Sequence, residues 1–204
     1  MVSRPSNPGD TETRVFSTVT LASLWLPIVL SAVAIFFASS VIHMVLKYHQ
    51  PEYRKLPDED AVRAAFNRSP LEPGQYVIPH CADSKAMASP EMQKKYVDGP
   101  IAAIWVGPRG PISLGPHLLR WFLYTLVVCT LCAYLATVVM PNPGMGFMHV
   151  VRVVGTAAFL AFAMAHWSNV VWKHQPVRAA LLDTLDGLIY GLLTGVVFAA
   201  LWPR

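Results

Sequence analysis

Six polar side chains near the ends of strongly apolar stretches are the residues of this sequence best suited to chemistry. They are His43, Arg120, His166, Asn169, Asp183 and Asp186. Because ionisable groups are costly inside a bilayer, such residues are candidates for a ligand, proton or ion site. We predict that they form one buried polar cluster. The alternative is structural pairing of Arg120 with an aspartate, with both aspartates favoured by the positive end of a helix dipole.

His43 and His166 allow a more specific hypothesis, because they belong to different apolar stretches. Two histidines on separate helices can ligate a b-type haem, or they can bind a metal ion together with the two aspartates. Hydrogen-bonded packing is the competing explanation for each histidine. The Ala-x-x-x-His spacing of light-harvesting pigment helices is absent, since Phe162 and Ser39 occupy the alanine positions. We therefore predict no cofactor and keep haem b or a metal ion as the alternative.

The cysteines and the common catalytic motifs add no second site. Cys129 and Cys132 form a Cys-x-x-Cys pair inside an apolar stretch, where small packing residues are expected. Cys81 lies in a His-Cys-Ala-Asp sequence without a second Cys or His at a ligand spacing. The sequence contains no phosphate-binding glycine loop, no His-Glu-x-x-His and no Gly-x-Ser-x-Gly. No catalytic residue is predicted, and a non-enzymatic protein is favoured.

Long apolar stretches must position these side chains. Of the 204 residues, 54% are hydrophobic and only 14% are charged, whereas soluble domains average about 25% charged residues. Each stretch can cross a bilayer core of about 30 Å. We predict an all-α membrane protein with four transmembrane helices and a small α+β cytoplasmic insertion between helices one and two. The predicted divisions are a flexible N-terminal tail at 1–17, transmembrane helices at 18–47, 118–140, 150–172 and 181–202, and the insertion at 48–117.

The insertion carries local structural signals. Asp58 can cap a helix over Asp58–Asn67, and Ser89 followed by proline is a good start for a second helix. Gln75–Pro79 and Ile101–Val106 are strand candidates. The segment is short and rich in proline, and it can therefore build only a small hydrophobic core. We expect it to pack against the membrane surface, the helix ends or a partner protein.

A ridge of small residues marks the last apolar stretch as a packing helix. Its members recur every four residues and therefore share one face: Gly187, Gly191, Gly195 and Ala199. In lipid, helices associate through close backbone contact at such residues. The first stretch also has a small-residue face, with Ser31, Ala34, Ala38 and Ser39, and this face is the expected seat of the ridge.

The distribution of basic residues predicts an orientation. With four spans, the residues between the first two and between the last two lie on one side, and most basic residues fall there: Lys47, Arg54, Lys55, Arg63, Arg68, Lys85, Lys94, Lys95, Arg109, Lys173 and Arg178. The positive-inside rule then places residues 48–117 in the cytoplasm and both termini outside.

The chain resembles a recurrent family of bacterial four-helix integral membrane proteins that has no assigned activity. The resemblance lies in residues 24–62, in Ser-Pro-Glu-Met at 89–92, and in the stretches 120–128 and 186–198. It implies a helical fold and a location in a bacterial inner membrane, and it transfers no catalytic residue.

Three classes of function follow from these observations. The first is a non-catalytic accessory or stabilising subunit of a larger membrane complex, of respiratory or photosynthetic type. The second is a haem- or metal-binding membrane redox protein that uses His43 and His166. The third is a small oligomeric transporter or channel. The expected partners are the lipid bilayer and a protein partner or a second copy of the chain. The basic residues are explained by membrane orientation, so no nucleic-acid partner is predicted.

Overall fold

The protein is mostly helical, with 67% helix and four helices long and apolar enough to span a membrane. The computed structural model describes residues 18–204, so the predicted tail at 1–17 lies outside the described residues. The candidate spans are Ala22–Leu46, Leu114–Val139, Phe147–Lys173 and Val177–Ala200. The prediction of four membrane-spanning helices is thereby confirmed by length and composition.

The first span changes geometry along its length. A 3-10 turn at Ala22–Leu24 leads into helix α1 (Trp25–Ser40), which continues as a π-helical turn at Val41–Leu46. Lys47 then adopts a left-handed conformation with φ 55°, which ends the helix and redirects the chain. Single π-helical turns are frequent at functional sites, and this one contains His43.

Short elements occupy the chain between the first two spans. They are helix α2 (Glu59–Arg68), strand β1 (Gly74–Ile78), helix α3 (Ser84–Met87), helix α4 (Pro90–Asp98) and strand β2 (Ala102–Val106). The two strands pair in an antiparallel ladder. The side chains of Asp58 and Ser89 cap α2 and α4, as the sequence predicts. Met92 is the one residue buried within these five elements.

The remaining helices complete the bundle. They are α5 (Leu114–Val139), α6 (Phe147–Ala163), α7 (His166–Lys173) and α8 (Val177–Ala200). The third span was predicted as one helix, but the chain turns at Met164 and Ala165 and divides it into α6 and α7. The last helix begins at Val177 rather than at the predicted residue 181. Asp183 and Asp186 therefore lie beyond its first turn, and the predicted dipole stabilisation does not apply, since that effect fades within one turn.

The glycine ridge of α8 packs against α6. A Cβ atom added to Gly191 would lie 2.8 Å from the carbonyl oxygen of Gly155, and one added to Gly195 would lie 2.8 Å from that of Val151. Gly187 is equally close to Ala163. The expected seat on the first helix is wrong, because α6 receives these glycines through Val151, Gly155, Phe159 and Ala163. Ala199, the last ridge residue, is partly buried against the core.

The first helix packs beside α5. The indole N–H of Trp121 donates a hydrogen bond of 2.8 Å to the hydroxyl of Ser39, which joins the two helices. Cys129 and Cys132 are buried in α5 as free thiols, in keeping with their predicted role as small packing residues. This packing brings the ends of α1, α5 and α8 together with the junction of α6 and α7, where the polar side chains lie.

Candidate metal centre

Asp186 is the centre of the polar side chains at this end of the bundle. It lies on α8 and is only 5% exposed. One carboxylate oxygen accepts a hydrogen bond from the hydroxyl of Tyr48. The other oxygen is 3.1 Å from Nε2 of His49 and 3.5 Å from Nε2 of His43. Two imidazole nitrogens therefore converge on one carboxylate oxygen.

The end of the first span explains how residues so close in sequence reach the same carboxylate. His43 lies in the π-helical turn, and the left-handed Lys47 redirects the chain directly after it. Tyr48 and His49 therefore fold back toward α8 instead of continuing away from the bundle. The rings of His43 and His49 lie 4.7 Å apart between centroids.

Glu52 orients the His49 ring from its other side. It lies in a 3-10 turn at Gln50–Glu52, and its carboxylate is 2.9 Å from Nδ1 of His49. Both ring nitrogens of His49 thus face carboxylate oxygens. A neutral imidazole has a single N–H to donate. A neutral His49 can therefore donate to only one of the two carboxylates, and a metal ion at Nε2 would leave Nδ1–H to donate to Glu52.

Tyr48 serves Asp186 as a hydrogen-bond donor. Burial raises the pKa of the Tyr48 hydroxyl above its usual value, and the hydrogen bond to Asp186 raises the pKa further. The phenol therefore keeps its proton at neutral pH and donates it to Asp186. Its contribution is to hold the carboxylate in one orientation, with the second oxygen directed to the histidines.

A second histidine and carboxylate pair lies nearby. Nδ1 of His166 is 3.2 Å from an oxygen of Asp183, and the same oxygen accepts a 3.1 Å hydrogen bond from the side-chain amide of Gln175. His166 is the first residue of α7, so the break after α6 sets its position. The pair faces the same cavity as Asp186.

That cavity has a volume of about 350 Å³ and two kinds of wall. Its polar side is formed by the two histidine and carboxylate pairs, through His43, Asp186, His166 and Asp183. Its other side is aromatic and consists of Trp121, Tyr124, Phe162 and Tyr190. Such a mixture of aromatic surface and a few placed polar groups is typical of small-molecule sites.

The structure brings together most of the predicted polar residues but not all. His43, His166, Asp183 and Asp186 line the one cavity. Of these, Asp186 is buried, whereas the His43 side chain is 51% exposed. Asn169 is half-buried on α7, and Arg120 is exposed on α5. Within residues 18–204, Arg120 forms no ion pair, and histidines engage both aspartates.

His43, His49 and Asp186 lie close enough together to hold a metal ion. One ligand atom from each residue lies within 4.8 Å of the other two. A zinc ion bound tetrahedrally at 2.0–2.1 Å holds its ligand atoms about 3.3–3.4 Å apart. The separations of 3.1 and 3.5 Å from Asp186 to the two histidines are close to that spacing. Glu52 then has the position of the carboxylate that commonly orients a metal-binding histidine.

Sequence reasoning missed three members of this group. A histidine directly after an apolar stretch is expected to contact lipid headgroups, but His49 is buried and faces Asp186. Tyr48 and Glu52 were not singled out. The available signal was the His-x-x-Glu spacing of His49 and Glu52, which places both side chains on one side of a helical turn.

Comparison with known proteins found no matching family model, no matching curated protein and no matching solved structure. The resemblance of the sequence to a bacterial membrane-protein family stays a prediction.

Proposed function

We propose that this chain is a multi-pass membrane protein that binds a divalent transition-metal ion through His43, His49 and Asp186. The observation that carries the proposal is the convergence of two imidazole nitrogens on one buried carboxylate oxygen. Imidazole suits zinc, iron, copper and nickel, and two histidines with one carboxylate are a recurrent ligand set for zinc and non-haem iron.

The ligand count supports an open site rather than a purely structural one. Structural zinc sites are closed by four protein ligands, whereas sites that act on a ligand keep a coordination position free. Here three protein ligands are present, and two of them, His43 and Asp186, also line the cavity. A metal at this position would present its free coordination position to that cavity.

Metal analysis of the purified protein tests the proposal. The protein in detergent is stripped with a chelator, reloaded with Zn²⁺ or Fe²⁺, and assayed by mass spectrometry for bound metal. We expect one ion per chain in the wild type and a loss of metal in His49→Ala and Asp186→Asn. The control His149→Ala removes an exposed histidine of α6 and should retain the ion.

A third variant keeps this test decisive if a buried substitution prevents folding. The half-exposed His43 can be changed to alanine without opening the core, and that change should still weaken metal binding. Equal metal content in all variants would overturn the proposal. The haem alternative with His43 and His166 stays a prediction, and an absorbance spectrum that loses a haem band in His166→Ala would support it instead.

We also propose the predicted orientation, with residues 48–117 as a cytoplasmic α+β insertion. The excess of basic residues on this side supports the orientation through the positive-inside rule. The antiparallel pairing of β1 with β2 and the capped helices α2 and α4 support a folded insertion. Both termini then lie on the opposite side of a bacterial inner membrane.

A role as an accessory subunit is the second candidate function. It is favoured by large apolar side chains outside the candidate spans that the rest of the described chain leaves uncovered. Tyr53 is 87% exposed, Val97 is 86% exposed and Ile112 is 95% exposed. Purification in mild detergent followed by native mass spectrometry tests this role. A protein partner or a homo-oligomer is expected, and a stable monodisperse monomer would contradict it.

A further inference from the structure

A second cavity, of about 530 Å³, lies where the paired strands β1 and β2 meet the end of the third span. Its wall on the span side is formed by Trp172 and Lys173, the last two residues of α7. The Lys173 ammonium nitrogen is 5.3 Å from the centroid of the Trp105 ring, within the range of a cation–π contact. This contact joins β2 to the end of α7, and both of its residues line the cavity.

The position of this cavity along the third span is that of the membrane boundary. Lys173 is the last residue of the candidate span Phe147–Lys173. Trp172 directly before it is 81% exposed, and Trp105 is 57% exposed. Tryptophan is enriched where a span leaves the hydrocarbon core, and lysine there extends its ammonium to the headgroups. The lining residues of α7 therefore lie at the depth of phospholipid headgroups.

The polar side chains of the lining favour an anion. Lys173 supplies a positive charge, and within residues 18–204 it forms no ion pair. Four other lining side chains carry an N–H group that can donate a hydrogen bond: Gln75, His80, Trp105 and Trp172. No carboxylate lines the cavity. Phosphate oxygens accept hydrogen bonds from such groups and pair with lysine as a point charge.

The neighbouring cations favour a lipid as the source of that phosphate. Lys47 directly follows the first span, and Arg178 lies in the first turn of α8. Both are exposed, and neither forms an ion pair in the part of the chain that the structure describes. Basic residues at the ends of spans attract anionic lipids within the bilayer. An anionic phospholipid is therefore concentrated at this end of the bundle, and its headgroup is already at the depth of the cavity.

We propose that this cavity binds the phosphate group of an anionic phospholipid. Lys173 pairs with the phosphate, the exposed indoles of Trp105 and Trp172 contact the headgroup, and the acyl chains stay in the bilayer beside the third span. The bound lipid thereby attaches the strand pair of the insertion to the membrane surface. This site is separate from the polar cluster around Asp186 and does not depend on the proposed metal function.

Native mass spectrometry of the full chain in detergent tests the proposal. The probes are phosphatidylglycerol and phosphatidylcholine with the same acyl chains, and the soluble headgroup glycerophosphoglycerol. We expect the wild type to bind phosphatidylglycerol more tightly than either of the other two. Lys173→Ala should weaken that binding about 5-fold, as expected for the loss of one basic residue beside an anionic lipid. Lys173→Arg should retain it, because a guanidinium keeps the charge and also binds phosphate.

Lys85→Ala provides the matched control. It removes the same charge from an exposed lysine of α3 that does not line the cavity, so it should leave the affinity for phosphatidylglycerol unchanged. An equal loss in Lys85→Ala and Lys173→Ala would overturn the site, because overall charge would then explain binding. Equal affinity of phosphatidylglycerol for the wild type and Lys173→Ala, or no preference over phosphatidylcholine, would also overturn it. If the soluble headgroup bound as tightly as the lipid, the lipid source would be refuted.

Discussion

A single methyl group added at Gly191 should separate α6 from α8. The added Cβ would lie 2.8 Å from the carbonyl oxygen of Gly155 and 3.0 Å from Cβ of Phe159. Carbon and oxygen atoms at close helix contacts are normally about 3.3–3.6 Å apart. The obstacle is backbone and cannot rotate away, so the helices must move apart by about half an ångström.

The size of the effect follows from two opposing terms. Overpacking a well-packed contact costs about 1–3 kcal/mol. Replacing glycine by alanine in a helix returns up to about 1 kcal/mol through better helix propensity. The first term exceeds the second because Gly191 meets backbone atoms of α6. Gly191→Ala should therefore be less stable than the wild type by up to about 3 kcal/mol.

Thermal unfolding in one detergent provides the assay. For a chain of this size the loss corresponds to a decrease in Tm of up to about 12 °C. Gly191→Leu should lower Tm further, whereas Leu192→Ala should have little effect, because Leu192 is 52% exposed on the lipid side of α8. If Gly191→Ala raised Tm above that of the wild type, the close contact between α6 and α8 would be refuted.

Three further predictions test other contacts. Glu52→Gln should weaken zinc binding about 10- to 100-fold, because it removes the charged partner that orients His49; unchanged affinity in a competitive titration would contradict this role. Cys81 lies between the first two spans, whereas the other two cysteines are buried in α5. It should react with a membrane-impermeant maleimide in inside-out vesicles but not in intact spheroplasts. The reverse pattern would invert the proposed orientation. Ser39→Ala and Trp121→Phe should show a coupling of about 0.6 kcal/mol in a double-mutant cycle for thermal unfolding, as expected for one interhelical hydrogen bond; additive effects would show that this bond contributes nothing.

The polar site was only partly visible in the sequence. His43, His166, Asp183 and Asp186 stand out because ionisable residues near apolar stretches are rare and costly. His49 did not stand out, because a histidine just after a span is expected to meet headgroups. The π-helical turn and the left-handed Lys47 changed its surroundings.

Arg120 illustrates a related limit. Its charge made it an obvious partner for an aspartate, yet it is exposed on α5 and histidines engage both aspartates. Which of several polar groups reaches a carboxylate depends on helix rotation. Packing between helices sets the rotation of each helix about its axis, so the residues next to Arg120 in the sequence do not predict it.

The sequence by itself determined the four apolar spans, the capping residues and the face of the last helix that carries its glycines. Each of these depends on residues close together in the chain, through hydrophobic length, cap chemistry and helical periodicity. Only the tertiary structure decided that the glycines meet α6 and that His49 joins His43 at Asp186. Both outcomes depend on contacts between distant segments. The close approach of α6 and α8 decides the first, and the left-handed residue after the first span decides the second.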